Sequence, residues 1–217
     1  MIDWSKIETV LLDMDGTLLD LRFDNYFWRS VVPEYYAHQE NMSLDEAVAH
    51  LEPIFKAQEG LLNWYCLDYW TQELGIEIAK LKVDNQEHIK ELPDTRAFLR
   101  QLQRSSKRCV LVTNAHADSL SIKMRKTGLI EFFDAIVSSH DIGYPKENQG
   151  FWEVLQKLEA FDKSTTVMVD DSLSVLRAAD EFGIKYLVAI TQPDSTEPPR
   201  IVHEYTAVDS IGKLFPN

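Results

Sequence analysis

Short runs of β-branched and apolar residues recur along the chain at Val10-Leu11-Leu12, Cys109-Val110-Leu111-Val112, Ala135-Ile136-Val137, Thr166-Val167-Met168-Val169 and Tyr186-Leu187-Val188-Ala189-Ile190. Apolar at nearly every position rather than at alternate ones, they predict strands buried on both faces. Between the later runs, helical spacing extends from Ser119 to Thr127, closed by Gly128, from Gln149 to Leu158, and from Ser172 to Phe182, closed by Gly183. A glycine just past the last turn supplies the left-handed residue on which helices commonly end. Strand and helix alternate, so the pattern predicts an α/β fold, a Rossmann-like parallel sheet with helices on both faces.

The segment from Arg22 to Leu92 breaks the alternation. It holds no convincing strand, and amphipathic helical stretches cover roughly 25–38, 43–58 and 61–74. It reads as a small helical insert after the first strand, dividing the chain into a core of residues 1–21 and 93–217 and an insert of residues 22–92. Pro93-Asp94-Thr95 then predicts a cap that restarts the core with a helix from Arg96 to Gln103. Gln192 to Arg200, with three prolines, predicts an irregular loop.

Composition narrows the class. Hydrophobic residues are 45% and charged residues 26% of 217, the make-up of a globular chain. No signal-like N-terminus and no apolar run of membrane-spanning length occurs, so a soluble, cytoplasmic protein is expected. The two cysteines, Cys66 and Cys109, stand in no C-x-x-C or metal-ligand spacing, so neither a disulfide framework nor a zinc site is expected. A net charge of -13 excludes nucleic acid as a partner, because affinity for a polyanion rests on many neutralising Lys and Arg. A small anion remains acceptable where a metal ion and a few cations reverse the potential locally.

In open parallel sheets ligands gather beyond the carboxyl ends of the strands. The first run ends in Asp13-Met14-Asp15-Gly16-Thr17, the second in Thr113-Asn114 and the fourth in Asp170-Asp171-Ser172, which brings four carboxylates to one sheet edge. Taken singly, Asp15-Gly16 is a turn, and Asp171 or Ser172 is a helix N-cap. A calcium loop of the EF-hand kind fails, because its sixth position needs glycine and Leu18 stands there. A lone Lys146 is ordinarily a solvated surface residue. Together, however, the D-x-D-G-T-L stretch Asp13 to Leu18, the strand ending in Thr113, Lys146 and the pair Asp170-Asp171 resemble, in order, the four motifs of the haloacid-dehalogenase-like (HAD) superfamily. The insert lies where that superfamily carries a helical cap. One departure is visible: the proline usual after the motif lysine is replaced by Glu147, with Pro145 before the lysine.

The resemblance implies a Mg2+-dependent phosphomonoesterase in which Asp13 is the nucleophile and becomes transiently phosphorylated. Asp15 would protonate the leaving oxygen and later deprotonate the attacking water, and Thr113, Asn114 and Lys146 would hold the phosphate. Asp13, the Asp15 main-chain carbonyl and Asp171 would hold the metal, with Asp170 a supporting or alternative ligand. The chemistry is coherent, since phosphoryl transfer needs in-line positioning and charge neutralisation, and a hard cation must lie between a carboxylate and a phosphate.

A haloacid dehalogenase fits less well, because that family typically has a bulky residue in place of Asp15. A phosphonate hydrolase would require a Schiff-base lysine, for which the insert offers Lys56, Lys80, Lys82 and Lys90. A sugar phosphomutase would share Asp13 and Asp15. A non-catalytic binding module gains nothing from a nucleophile and acid at this spacing. The insert is rich in aromatics, from Phe23, Tyr26, Phe27 and Trp28 to Trp64, Tyr65, Tyr69 and Trp70. Most are expected to fill its own core and one or two to face a planar substrate. The stretches LRFDNYFWRSVVPE and LNWYCLDYW look like cap segments of the bacterial GMP/IMP nucleotidase branch. That likeness implies purine nucleoside 5'-monophosphates as substrates, with phosphoglycolate-type or sugar phosphates as the alternative class.

Overall fold

In the computed structural model, which describes residues 2–215, six parallel strands form one sheet. They are β1 (Thr9–Leu12), β2 (Arg108–Thr113), β3 (Ala135–Ser138), β4 (Thr166–Asp170), β5 (Tyr186–Ile190) and β6 (Thr206–Val208), in the order β3-β2-β1-β4-β5-β6. All five apolar runs are strands. The sixth has no such run, because β6 lies at the sheet edge and is largely exposed.

Between β1 and β2 the chain passes through α1 (Arg22–Tyr26), a wider π turn (Phe27–Val31), α2 (Val32–Glu40), α3 (Leu44–Gln58), α4 (Leu62–Tyr65), α5 (Leu67–Leu74) and α6 (Ile78–Asp84). The expected stretch at 61–74 is two helices that part at Cys66, and α6 is an addition to the sequence pattern. Helix α3 starts at a capping box, Ser43 and Glu46 bonding each other's backbone N–H groups. Phe27, Val32, Leu51, Leu67, Trp70, Leu74 and Ile78 form an apolar cluster of the insert's own, separate from the two clusters on the sheet.

The sheet is buried on both faces by its period-two geometry. Val10 and Leu12 of β1 and Val167 and Val169 of β4 point to one side; Leu11 and Met168 point to the other. The first side is covered by α7 (Thr95–Gln103) and α8 (Ala117–Thr127) through Phe98, Leu99, Leu102, Ile122 and Met124. After β3 comes the short α9 (Ser139–Ile142). The second side is covered by α10 (Gln149–Leu158) and α11 (Leu173–Phe182) through Phe151, Trp152, Leu155, Leu176 and Ala179.

Asp94 takes the N-cap position of α7, as expected, but without the side-chain bond of an ordinary cap. Its φ is +66° and its side chain bonds no helix N–H. The carboxylate accepts from the Ser210 hydroxyl at 3.3 Å instead, against Gly212, where an added Cβ would fall 2.5 Å from Asp94 Cβ. The Thr95 hydroxyl donates to the Leu18 carbonyl at 2.9 Å, which ties α7 to the loop after β1.

Candidate active site

The loop leaving β1 is folded back tightly: the N–H groups of Leu18 and Leu19 both donate to the Met14 carbonyl, at 2.9 and 2.8 Å. Gly16 is obligatory in it. Its φ is +85°, and a Cβ there would lie 2.7 Å from Asp171 Cγ and 2.9 Å from Pro193 Cβ. The loop therefore packs its backbone against the end of β4, setting Asp13 and Asp15 beside Asp170 and Asp171.

Lys146 arrives from the segment between α9 and α10 and is buried, only 2% exposed, rather than solvated. Its ammonium donates to Asp13 Oδ1 at 2.5 Å, Asp170 Oδ2 at 2.7 Å and the Val112 carbonyl at 3.2 Å. Asp170 Oδ1 also accepts from Ser172 N–H at 2.8 Å, so both its oxygens are engaged. Among the described residues, Asp171 has only Arg200, 3.8 Å away, as a side-chain counter-ion. Carboxylate oxygens of Asp13, Asp170 and Asp171 lie within 4.8 Å of one another. Burial pushes the Asp13 carboxyl up to about 7, with Lys146 opposing and Asp170 adding to the rise. Burial and then the charges of Asp170 and Asp13 raise Asp171 well above the carboxylate range. Burial works against the Lys146 charge, but Asp13 and Asp170 outweigh it and hold its pKa high.

Asp15 belongs to a second network. Lys123 of α8 lies 2.7 Å from Asp15 Oδ1 and 2.7 Å from Asp24 Oδ2, and Lys82 of α6 lies 2.7 Å from Asp24 Oδ1. Both lysines are 2% exposed. Burial raises Asp15 to about 6 against the pull of Lys123. For Asp24, burial is outweighed by Lys123 and Lys82, which hold its carboxyl well below the usual range.

At the end of β2, the Thr113 hydroxyl accepts from Ala115 N–H at 3.0 Å. The Asn114 carbonyl oxygen Oδ1 accepts from Lys146 N–H at 2.9 Å and its amide donates to Glu147 at 3.0 Å. The Tyr65 hydroxyl of the insert donates to the other Glu147 oxygen at 2.8 Å. Glu147, the departure from the motif, thus joins insert and core.

One cavity of about 810 Å³ connects these groups: Asp13, Asp15, Thr113, Asn114, Lys146, Asp170 and Asp171 line one part, and Trp28, Arg29, Phe55, Trp64 and Tyr65 another. Trp28 and Arg29 lie in the π turn, the kind of widened turn often found at functional positions. Phe23, Phe27 and Trp70 are buried in the packing, while Tyr26 and Tyr35 are exposed. Nothing in the sequence marks Lys123 or Asp24 as site residues, whereas Glu147 stands in place of a usual proline and Tyr65 belongs to the aromatic run of the insert.

A parallel sheet of this order, carboxylates at the ends of β1 and β4 with a buried lysine beside them, and a helical insert after β1 are the architecture of a hydrolase, and the relatives below make it one that cleaves phosphoric monoesters. The chain belongs to the haloacid dehalogenase-like hydrolase family, whose model matches residues 10–189. It is 38% identical over 216 residues to the GMP/IMP nucleotidase YrfG of Escherichia coli (strain K12), covering 100% of this chain and 97% of that one. The structure of an HAD phosphatase from Thermococcus onnurineus superposes with a TM-score of 0.80 at 21% identity, covering 96% of both chains. A magnesium-bound HAD hydrolase, YfnB of Bacillus subtilis, superposes with a TM-score of 0.69 at 19% identity, again over 96% of each chain. Among the described residues, no helix is long and apolar enough to cross a membrane.

Proposed function

We propose that this enzyme is a cytoplasmic, Mg2+-dependent nucleotidase that hydrolyses purine nucleoside 5'-monophosphates, GMP and IMP first, with residues 22–92 as its cap domain. The observation that carries the reading is the single cavity with a carboxylate–lysine part and an aromatic part. The likeness to the GMP/IMP nucleotidase supports the same substrate class.

The donor set suits Mg2+: hard oxygens of Asp13, Asp170 and Asp171 lie close together with one lysine among them. Asp171 is the better direct ligand, because both oxygens of Asp170 are already engaged. Bound there with Asp13 and the Asp15 carbonyl, the ion would neutralise charge on the phosphate and the nucleophile. An Asp13 oxygen forms a bond to phosphorus as the bond to the ester oxygen breaks, and protonated Asp15 gives its proton to that leaving oxygen. Water then attacks the aspartyl phosphate, Asp15 takes a proton from it, and inorganic phosphate departs as the Asp13 carboxylate is restored. An Asp15 pKa raised to about 6 suits a group that must both give and take a proton near neutrality. Thr113 and Lys146 hold phosphate oxygens, and Asn114 positions Lys146 through its backbone N–H.

Stacking on an aromatic face contributes about 1 to 3 kcal/mol per base. Trp28→Leu should therefore raise KM for GMP and IMP roughly tenfold while leaving KM for phosphoglycolate nearly unchanged. Specificity constants for both sets, in both proteins, test the reading. A preference of the unaltered enzyme for phosphates without a base would overturn the nucleotide assignment, and equal losses on both sets would show that Trp28 supports the fold rather than the base.

A further inference from the structure

Beside the cavity, three potential metal ligands from three chain segments converge. Ligand atoms of Cys66, His116 and His140 all lie within 4.8 Å of one another. Cys66 is the N-cap of α5 in the insert, a free and half-buried thiol. His116 is the N-cap of α8 in the core; its Nδ1 accepts a long bond from Asp118 N–H at 3.4 Å, which the ring gives up when the proton moves to Nδ1, 3.8 Å from Asp118 Oδ2, and frees Nε2 as a ligand. Asp68 Oδ2, also from α5, is 3.7 Å from that Nε2. His140 sits in α9, its ring 5.0 Å from that of His116 and nearly perpendicular to it.

His140 gives the second, independent observation. Its Nε2 is one of the few buried side-chain polar atoms among the described residues with no hydrogen-bond partner. A buried polar nitrogen is ordinarily satisfied, because an unmet one costs about 1 to 3 kcal/mol. The ring stands beside the Asn114 main-chain carbonyl, which leaves Nε2 as the nitrogen without a partner.

We propose that Cys66, His116 and His140 form a zinc site that joins the insert to the core, its fourth position open to water or to the nearby Asp68 carboxylate. Thiolate and imidazole donors with an oxygen in the fourth position suit Zn2+, and nitrogen and sulfur donors set this site apart from the all-oxygen cluster at Asp13. Local spacing could not reveal it, because Cys66, His116 and His140 are distant in sequence and meet only where α5 packs beside the starts of α8 and α9. One ligand comes from the insert and two from the core, so the ion clamps one onto the other. His116 also lines the substrate cavity, which puts the clamp at its side.

Co2+ is the probe, because a thiolate ligand gives it an intense near-ultraviolet charge-transfer band. The full chain is titrated with Co2+ in excess Mg2+, which keeps the oxygen site filled. One equivalent should develop the band; Cys66→Ser should abolish it, and Cys109→Ser should retain it. His140→Gln should weaken Co2+ binding by more than the about 100-fold that loss of an outer hydrogen-bond partner can cause. Phosphatase activity in Mg2+ alone verifies that each variant is folded. No band in the unaltered protein, or a band that persists in Cys66→Ser, overturns the site. Zn2+ should slow turnover of the unaltered enzyme at least tenfold more than that of Cys66→Ser, and equal inhibition of both would overturn the clamp.

Discussion

Two buried ion clusters meet at the head of the sheet, and they differ in charge balance. Around Lys146, the carboxylates of Asp13, Asp170 and Asp171 face a single buried ammonium, with Arg200 only approaching from the exposed side at 3.8 Å. Around Asp24, two carboxylates, Asp15 and Asp24, face two ammonium groups, Lys82 and Lys123. The balanced cluster holds Asp24 firmly ionised, whereas burial in the unbalanced one raises Asp13 and Asp171. An excess of buried negative charge is relieved by a proton or by a cation. On the proposed reading the first cluster takes up a metal and the second stands alone, and Asp15, touching Lys123 and lying two residues from Asp13, is where they meet.

The sharpest way to break this contrast is at Asp13, the proposed nucleophile. Asp13→Asn keeps the volume and the fold but substitutes a poor nucleophile, and phosphate release should fall by more than about 100-fold. Activity retained above that level, with an unchanged circular dichroism spectrum, would sink covalent catalysis by Asp13.

Next in size is the balanced cluster. Asp24→Asn leaves Lys82 and Lys123 buried around a neutral amide, and removal of one partner from a buried pair costs about 3 to 5 kcal/mol. Urea denaturation at pH 7 measures it; a loss below about 1 kcal/mol would mean that the two lysines find other anions. Because the folded pKa of Asp24 lies below its unfolded value, near 4, its stabilisation is fully present above that value and fades as pH falls further. The difference between the two proteins should accordingly shrink below about pH 4.

This second cluster also marks the limit of what the sequence discloses. The strands were legible because β1, β2, β4 and β5 are buried on both faces, so their residues are apolar without alternation. Asp13, Asp15, Asp170 and Asp171 stood out because they end such runs. Lys82 and Lys123 did not, since lysines usually face water, and these meet Asp24 across 58 and 99 residues. The helix α6 escaped for a related reason: its buried face includes that lysine next to Ile78, which blurs the apolar stripe. Asp94 disclosed its position but not its contact, its residue type suiting a cap while its left-handed backbone serves a contact with Ser210.

The unbalanced cluster should respond to metal in the same direction as to acid, since either one relieves its excess of buried negative charge. Raised folded pKa values near 7 for Asp13 and 6 for Asp15 mean that their destabilisation is present above those values and vanishes as pH falls toward the unfolded range. In EDTA, then, this site weakens the fold more at pH 8 than at pH 5. Mg2+ at about 100 times its Kd should add about 2.7 kcal/mol at pH 8, and less at pH 5, where protons compete for the carboxylates. Asp171→Ala should raise the Mg2+ needed for half-maximal rate by tenfold or more, with rate recovering at high Mg2+. A rate that never recovers would move the direct ligand to Asp170.

The smallest expected effect tests how insert and core are held together over the two clusters. The Tyr65 hydroxyl donates to Glu147, whose second oxygen is held by Asn114, and Asn114 accepts from the N–H of Lys146. The insert therefore reaches Lys146, the proposed phosphate ligand, through three hydrogen bonds. Burial, reinforced by the neighbouring Glu147 charge, raises the Tyr65 phenol, so it stays a donor throughout the working pH range. Tyr65→Phe removes one hydrogen bond to a charged acceptor, an interaction of about 1.5 to 3 kcal/mol, part of which water can replace when the insert swings away. If the bond matters mainly for holding the insert closed over substrate, KM should rise about threefold to tenfold with kcat nearly unchanged. A fall in kcat at constant KM would instead mean that Tyr65 positions Lys146 in the transition state. Glu147→Gln separates the two further, because the amide can still accept from Tyr65 but no longer offers Asn114 a charged oxygen. It should reproduce the Tyr65→Phe change in KM only if the charge, rather than the mere presence of a hydrogen-bonding partner, is what fastens the insert to the core.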